Sequence, residues 1–269
     1  MTILEIIGFT GALLIGLILG LVGGGGSILT VPIFVYLLQI NPITATAYSL
    51  FVVGSTALFG IFRNAKKKLV DFRTGIVFAI PSIITVFLTR KFLIPSIPEK
   101  LFEINSFEIS KNMGIMLFFA IIMMLAAFSM LRKKSKLETN DDTPNSKFNY
   151  PLILIEGAIV GLITGIVGAG GGFLIIPALV LFTNLPMKKA VATSLLIVSA
   201  KSLIGFLGDV DNVTIDWMFL TGFTSISIIG IFLGIYLNQF INEKKLKKGF
   251  GFFILIMGVY IVLKETFFK

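Results

Sequence analysis

Gly20-Leu21-Val22-Gly23-Gly24-Gly25-Gly26-Ser27-Ile28-Leu29-Thr30-Val31-Pro32 recurs 145 residues later as Gly165-Ile166-Val167-Gly168-Ala169-Gly170-Gly171-Gly172-Phe173-Leu174-Ile175-Ile176-Pro177. The same offset continues without a gap. Ala45, Ala47, Ser49 and Leu50 align with Ala190, Ala192, Ser194 and Leu195, Gly60 with Gly205, and Asp71 with Asp216. Over residues 20–60, 15 of 41 positions are identical. Apolar composition alone would match some Leu and Val. It would not place five glycines, a proline and a serine in register, so the chain is read as an internal duplication.

Outward from these blocks the chain is apolar. Of its 269 residues 56% are hydrophobic and 14% charged, with a mean hydropathy of +0.98. A soluble domain carries about 25% charged residues, so too few polar side chains are present to cover a water-facing surface. The expectation is a polytopic membrane protein whose first helix, from Thr2 to Val22, is retained rather than cleaved as a signal. A spanning helix needs about 20 apolar residues. Such runs occur at Ile3–Val22, Ala45–Phe62, Phe72–Thr89, Met113–Leu131, Leu152–Val167, Ala190–Leu207, Ile215–Leu237 and Gly249–Leu263. Two more, Ile28–Gln39 and Phe173–Thr183, reach only about half a bilayer at about 1.5 Å per residue. Both follow a glycine block. The fold expected is an all-α membrane protein of two inverted repeats, each of about five helical segments with a Gly-rich helix break and a short half-helix. The first repeat covers 1–131, a polar linker 132–149, and the second repeat 150–269.

Charge orients the halves. Arg63–Arg73 carries five basic residues, whereas the aligned Gly208–Met218 carries none. Homologous loops of opposite charge character belong on opposite faces of a membrane. Placing Arg63–Arg73, Arg132–Asn149, Leu185–Lys189 and Asn238–Gly249 inside puts 5, 5, 2 and 4 of the 23 Lys and Arg residues on the cytoplasmic face. The other face then holds Arg90, Lys91, Lys100, Lys111, Lys264 and Lys269, and both termini lie outside. Charge does not decide whether each Gly-flanked pair crosses twice or forms a re-entrant hairpin.

In a bilayer, unwound backbone is tolerated only where it lines a cavity or is buried in protein. A half-helix starting at Ser27 or Ile28, and its partner starting near Gly172 or Phe173, would aim amides and positive dipole ends at one point. Two such termini make an anion site without a formal charge. The substrate-binding candidates are therefore Gly23, Gly24, Gly25, Gly26 and Ser27 in the first block and Gly168, Ala169, Gly170, Gly171 and Gly172 in the second. Ser49 and Ser194 are added as aligned hydroxyls, against the alternatives of packing or back-bonding within their helices. Lys201, the only basic residue in the middle of an apolar run, either neutralises an anion or snorkels to the headgroups. Close helix packing alone also uses glycines. Glu156 is a further candidate, for proton coupling.

The chain lacks cysteine and histidine. Disulfides, thiolate nucleophiles and the commonest metal ligands are thereby excluded. No Lys-Ser/Thr pair follows the glycines, which excludes a Walker-type phosphate loop. Neither an enzyme, a cofactor, a metal nor a nucleic-acid partner is expected. Expected partners are a small anionic substrate, membrane lipid and a coupling ion, H+ or Na+.

The blocks GLVGGGGSILTVPIFVYLL and GIVGAGGGFLIIPALVLF, with ATAYSLFVVGSTALFG and AVATSLLIVSAKSLIGF after them, resemble the TauE/SafE group of sulfite exporters over nearly the whole chain. That resemblance implies plasma-membrane transport of sulfur oxyanions, organosulfonates or other small organic anions. The leading reading is a secondary transporter working by alternating access. An anion channel, a membrane scaffold and a membrane enzyme are the other readings.

Overall fold

The computed structural model describes residues 3–104, 107–131, 150–183, 185–238, 240 and 243–267. The linker expected at 132–149 lies outside them. The first half holds α1 (Ile3–Val22), then a short composite helix, α2, that is 3-10 over Gly23–Leu29, α over Thr30–Pro32 and π over Ile33–Leu37. There follow α3 (Pro42–Lys66), α4 (Phe72–Leu88, running on as a π segment Thr89–Leu93 and a last turn Ile94–Ser96) and α5 (Lys111–Leu131). The second half holds α6 (Tyr150–Val167), α7 (Gly172–Phe182), α8 (Met187–Leu207), α9 (Trp217–Leu237) and α10 (Glu243–Phe267). A short antiparallel hairpin, β1 (Lys100–Ile104) with β2 (Phe107–Ser110), joins α4 to α5 and is the one departure from an all-α chain among the described residues.

Among the described residues six helices are long and apolar enough to cross a membrane: Pro42–Lys66, Phe72–Ser96, Lys111–Phe128, Tyr150–Val167, Lys188–Leu207 and Trp217–Leu237. The chain is a multi-pass membrane protein. Helices also cover the two remaining long runs, as α1 and α10. Outward-facing Ile76, Ile80, Ile84 and Leu88 on α4 are about half exposed, one turn apart, as a lipid-facing stripe requires.

Local signals set the boundaries. Asn41 caps α3 by accepting from the Ile43 amide, with Pro42 at the first helical position. Asp71 caps α4 through the Thr74 amide, and its repeat mate Asp216 caps α9 through the Phe219 amide. The ends of α1 and α6 are made alike by Gly23 (φ 74°) and Gly168 (φ 70°), a left-handed position that costs glycine little.

The halves interlock by exchange. Helix α1 packs on α9 while α6 packs on α4; α3 packs on α8 and α5 on α10. Glycine brings the backbones together in the first two pairs. A Cβ on Gly16 would fall 1.9 Å from the Ser227 carbonyl oxygen, and one on Gly161 would fall 2.5 Å from that of Ser82. Hydrogen bonds are exchanged too. The Asp216 amide donates to the Tyr48 hydroxyl (2.7 Å), and the Asp71 amide donates to the hydroxyl of Thr193, the repeat mate of Tyr48 (2.9 Å).

Candidate functional site

The two glycine blocks meet at the centre of this arrangement. Gly24 and Gly172 touch through their backbones, and Ser27 lies beside Gly170. The blocks differ in conformation. The second is an irregular turn in which Gly168, Gly170 and Gly171 all have positive φ. The Gly171 amide donates to the Ala169 carbonyl, and α7 begins at Gly172 as expected. The amides of Ala169 and Gly170 have no hydrogen-bond partner among the described residues. The first block instead winds at once into a 3-10 helix from Gly23, four residues ahead of the start expected at Ser27. Its i→i+3 bonding consumes amides that an unwound break would leave free. Ser27 Oγ donates to the Gly24 carbonyl (2.7 Å), closing that turn further. Gly25 sits within this 3-10 segment, and Gly26 backs onto the α1 backbone at Leu19.

Each block is lined by the helix of the opposite half. On α3, Thr46 abuts Gly168 and Val53 abuts Gly170, so Ser49, on the same helical face, stands between them. The Ser49 hydroxyl is buried and has no partner among the described residues. On α8 the corresponding face presents Val191 and Ser194 to Gly23 and Val198 to Gly24. Ser194 Oγ donates to the Val191 carbonyl (2.8 Å) and accepts from the Gly24 amide (3.4 Å). The two aligned serines thus differ: Ser194 is committed to backbone and Ser49 is free.

Lys201 continues that α8 face, and it does not snorkel. Its side chain has 0% exposure. Nζ donates to Thr164 Oγ1 on α6 at 2.5 Å and lies 2.8 Å from where a Cβ on Gly171 would stand. Among the described residues no carboxylate pairs with it, so an ammonium with three donors has one neutral partner. A charge taken from water without a counter-ion is costly, and by default marks function. The polar residues of α8, Thr193, Ser194, Ser199 and Ser202, are spread around its axis, so the sequence does not say which way Lys201 turns.

Charge places Arg90 toward the face opposite the cytoplasmic loops, and the structure buries its side chain fully, in the π segment after α4. Its Nη1 donates to Thr46 Oγ1 (2.9 Å) and lies 3.3 Å from Asp209 Oδ2, beyond the end of α8. A Cβ on Gly168 would fall 2.5 Å from Nη2. The second glycine turn is therefore flanked by two buried cations, Arg90 at Gly168 and Lys201 at Gly171. Burial pushes the Asp209 carboxyl up to about 6, against the opposing pull of Arg90. Thr46, Thr164, Arg90 and Asp209 are the members of the site that sequence reading missed. The signal for Arg90 was a basic residue still within an apolar run, and its partner lies 119 positions away. Glu156 is half-buried on α6, with Oε2 unpartnered among the described residues. No group of three or more acidic side chains suited to a metal ion occurs among the described residues.

Residues 8–261 match the family described as sulfite exporter TauE/SafE. The chain belongs to the TauE/SafE family. It is similar to a probable membrane transporter protein of Xylella fastidiosa (28% identity, covering 94% of this chain and 92% of the relative). It is also similar to one of Methanocaldococcus jannaschii (29%, covering 97% and 95%) and to the probable membrane transporter protein YunE of Bacillus subtilis (26%, covering 95% and 96%). No solved structure matches the chain. This TauE/SafE protein is a membrane transporter; the Gly168–Gly171 turn with its two buried cations is the part of it suited to an anion.

Proposed function

We propose that this TauE/SafE protein is a secondary transporter that moves a small sulfur-containing anion, sulfite or an organosulfonate, across the plasma membrane. The observation that carries the reading is Lys201, buried at the Gly168–Gly171 turn with Thr164 Oγ1 as its neutral partner. An anion seated there supplies the missing counter-charge. The free Ser49 hydroxyl and the Ala169 and Gly170 amides supply donors without adding net charge. Backbone amides and one ammonium suit a small, weakly directional oxyanion rather than a large substrate read by many side chains.

The halves are read as repeats inverted about an axis in the membrane plane. Exchanged packing of α1 on α9 and α6 on α4, and exchanged hydrogen bonds from Asp216 to Tyr48 and Asp71 to Thr193, support that relation. Rocking one half against the other around the joined glycine blocks would then expose the site to each side in turn. The basic residues of the 63–73 loop and the 132–149 linker support a cytoplasmic side for both, with the termini outside. The driving force is an ion gradient, of H+ or Na+, or the gradient of the substrate.

The test is flux into proteoliposomes of sulfite, sulfate, thiosulfate and methanesulfonate, with and without a pH gradient. Saturable uptake with counterflow of sulfite or methanesulfonate is the expected result. Uptake that is linear in concentration and shows no counterflow would mean a pore, and no uptake of any sulfur anion would refute the substrate class.

A further inference from the structure

Arg90 has five N–H donors, and their use is uneven. Nη1 takes both protein partners, Thr46 Oγ1 at 2.9 Å and Asp209 Oδ2 at 3.3 Å. Nε and Nη2 have none among the described residues, although the side chain has 0% exposure. Those two atoms are not an arbitrary pair. They form one edge of the guanidinium, the fork that grips two oxygens of a carboxylate, sulfonate or sulfite by parallel hydrogen bonds.

The remaining contacts hold that fork in place. Thr46 Oγ1 gives its own proton to the Ile43 carbonyl at 2.7 Å, so toward Arg90 it acts only as an acceptor and orients the plane. Nη2 lies beside Gly168, 2.5 Å from where a Cβ on that glycine would stand. Arg90 also sits in a π segment, a helix distortion frequent at functional sites. Asp209 is a loose partner. It meets Arg90 at one nitrogen, and Oδ2 makes no well-aligned hydrogen bond. The pair exists once: the repeat mates of Arg90 and Asp209 are Ile235 and Asn64, which cannot form it.

We infer that the Nε–Nη2 edge of Arg90 is a bidentate seat for an oxyanion, and that Asp209 holds the guanidinium charge until the anion arrives and is then released from it. This rests on the reading of the chain as an anion transporter and adds to Lys201 a second, geometrically selective anchor. Lys201 is a point charge that accepts any anion. The fork of Arg90 selects anions with two oxygens on one centre.

The experiment measures equilibrium binding of sulfite, methanesulfonate, acetate, nitrate and chloride to the purified full chain. Arg90→Lys keeps the charge and removes the fork. It is expected to weaken the oxyanions by about tenfold to a hundredfold, as loss of a charge-assisted hydrogen bond does, while leaving chloride unchanged. Asp209→Asn removes the internal competitor and is expected to tighten oxyanion binding several-fold. Replacing the whole pair by Arg90→Met with Asp209→Leu guards against a buried orphan charge, and should bind oxyanions as weakly as Arg90→Lys. Wild-type oxyanion affinity in Arg90→Lys, or in the double variant, overturns the inference, as does weaker binding in Asp209→Asn. If the wild-type protein binds acetate or nitrate but neither sulfur anion, the sulfur-anion reading falls and Arg90 is judged on the anion that binds. If it binds none of the oxyanions, both fall.

Discussion

Gly24 and Gly172 meet backbone to backbone: a Cβ on Gly24 would lie 2.4 Å from the Cα of Gly172, and one on Gly172 would lie 2.0 Å from the Cα of Gly24. No side chain fits at either position. The two breaks are therefore one structural unit, and the end of α1 cannot shift relative to the start of α7 without parting them. Gly172→Ala should lower stability by about 1–3 kcal/mol, the range for overpacking, and abolish transport. Gly249→Ala, inside α10 with nothing within 4 Å among the described residues, is the control and should be neutral or stabilising by up to about 1 kcal/mol. Detergent melting with proteoliposome flux checks both; wild-type flux in Gly172→Ala would dissociate the contact from function.

Lys201→Met should weaken binding of a small anion by tenfold to a hundredfold, because a partly screened charge pair is worth a few kcal/mol and about 1.4 kcal/mol is tenfold. The fold should survive or gain stability, since an uncompensated buried charge is removed. Isothermal titration of the variant against wild type measures the effect. Equal affinities would leave the glycine-turn amides, Ser49 and Arg90 to carry the site.

Asp209 gives a pH dependence whose sign follows from burial. Its folded value, about 6, is above the ordinary 3.8. The Asp209 contribution to stability is then fullest below the unfolded value and declines as pH rises through about 6. Arg90 is the charged group facing it among the described residues. Neutralising Asp209 frees that guanidinium, so methanesulfonate, whose own charge is constant across this range, should bind more tightly as pH falls from about 7 to about 5. Asp209→Asn should flatten the profile. A profile that is unchanged in Asp209→Asn would locate the titrating group elsewhere.

The basic loop at residues 63–73 should be cytoplasmic. The chain has no cysteine, so Lys67→Cys is a single-site probe. An impermeant maleimide should label it in inverted vesicles and not in intact cells. Labelling from outside would reverse the orientation of both halves.

Asp71→Ala and Asp216→Ala should each cost about 1 kcal/mol, the usual loss of a helix N-cap. Similar shifts in melting temperature are expected, because both carboxylates accept an amide three residues on, at 3.1 and 3.0 Å. Unequal shifts would mean that the two caps are not equivalent in the fold.

The sequence by itself determined the segments and their breaks. Hydropathy reports helix length locally, and glycine reports where a helix can end left-handed, so α1 and α6 stop at Gly23 and Gly168 as the aligned blocks require. Its alignment of the halves also pairs Asp71 with Asp216, and both carboxylates cap a helix. Tertiary structure alone decided what those residues touch. Ser49 and Ser194 are equivalent in sequence, yet one hydroxyl is free and the other is spent on Val191 and Gly24, because the blocks they face fold differently. Lys201 lies on a helix whose polar residues, Thr193, Ser194, Ser199 and Ser202, are spread around its axis and give no rotational phase, so inward burial against Thr164 followed only from packing. Arg90 and Asp209 are joined through space across 119 residues, and a helix-end cation reads the same in sequence whether it reaches water or a buried carboxylate. The reason is common to all three: hydrophobic length and backbone freedom are properties of a local stretch, whereas the partner of a buried polar group is a property of the assembled helices.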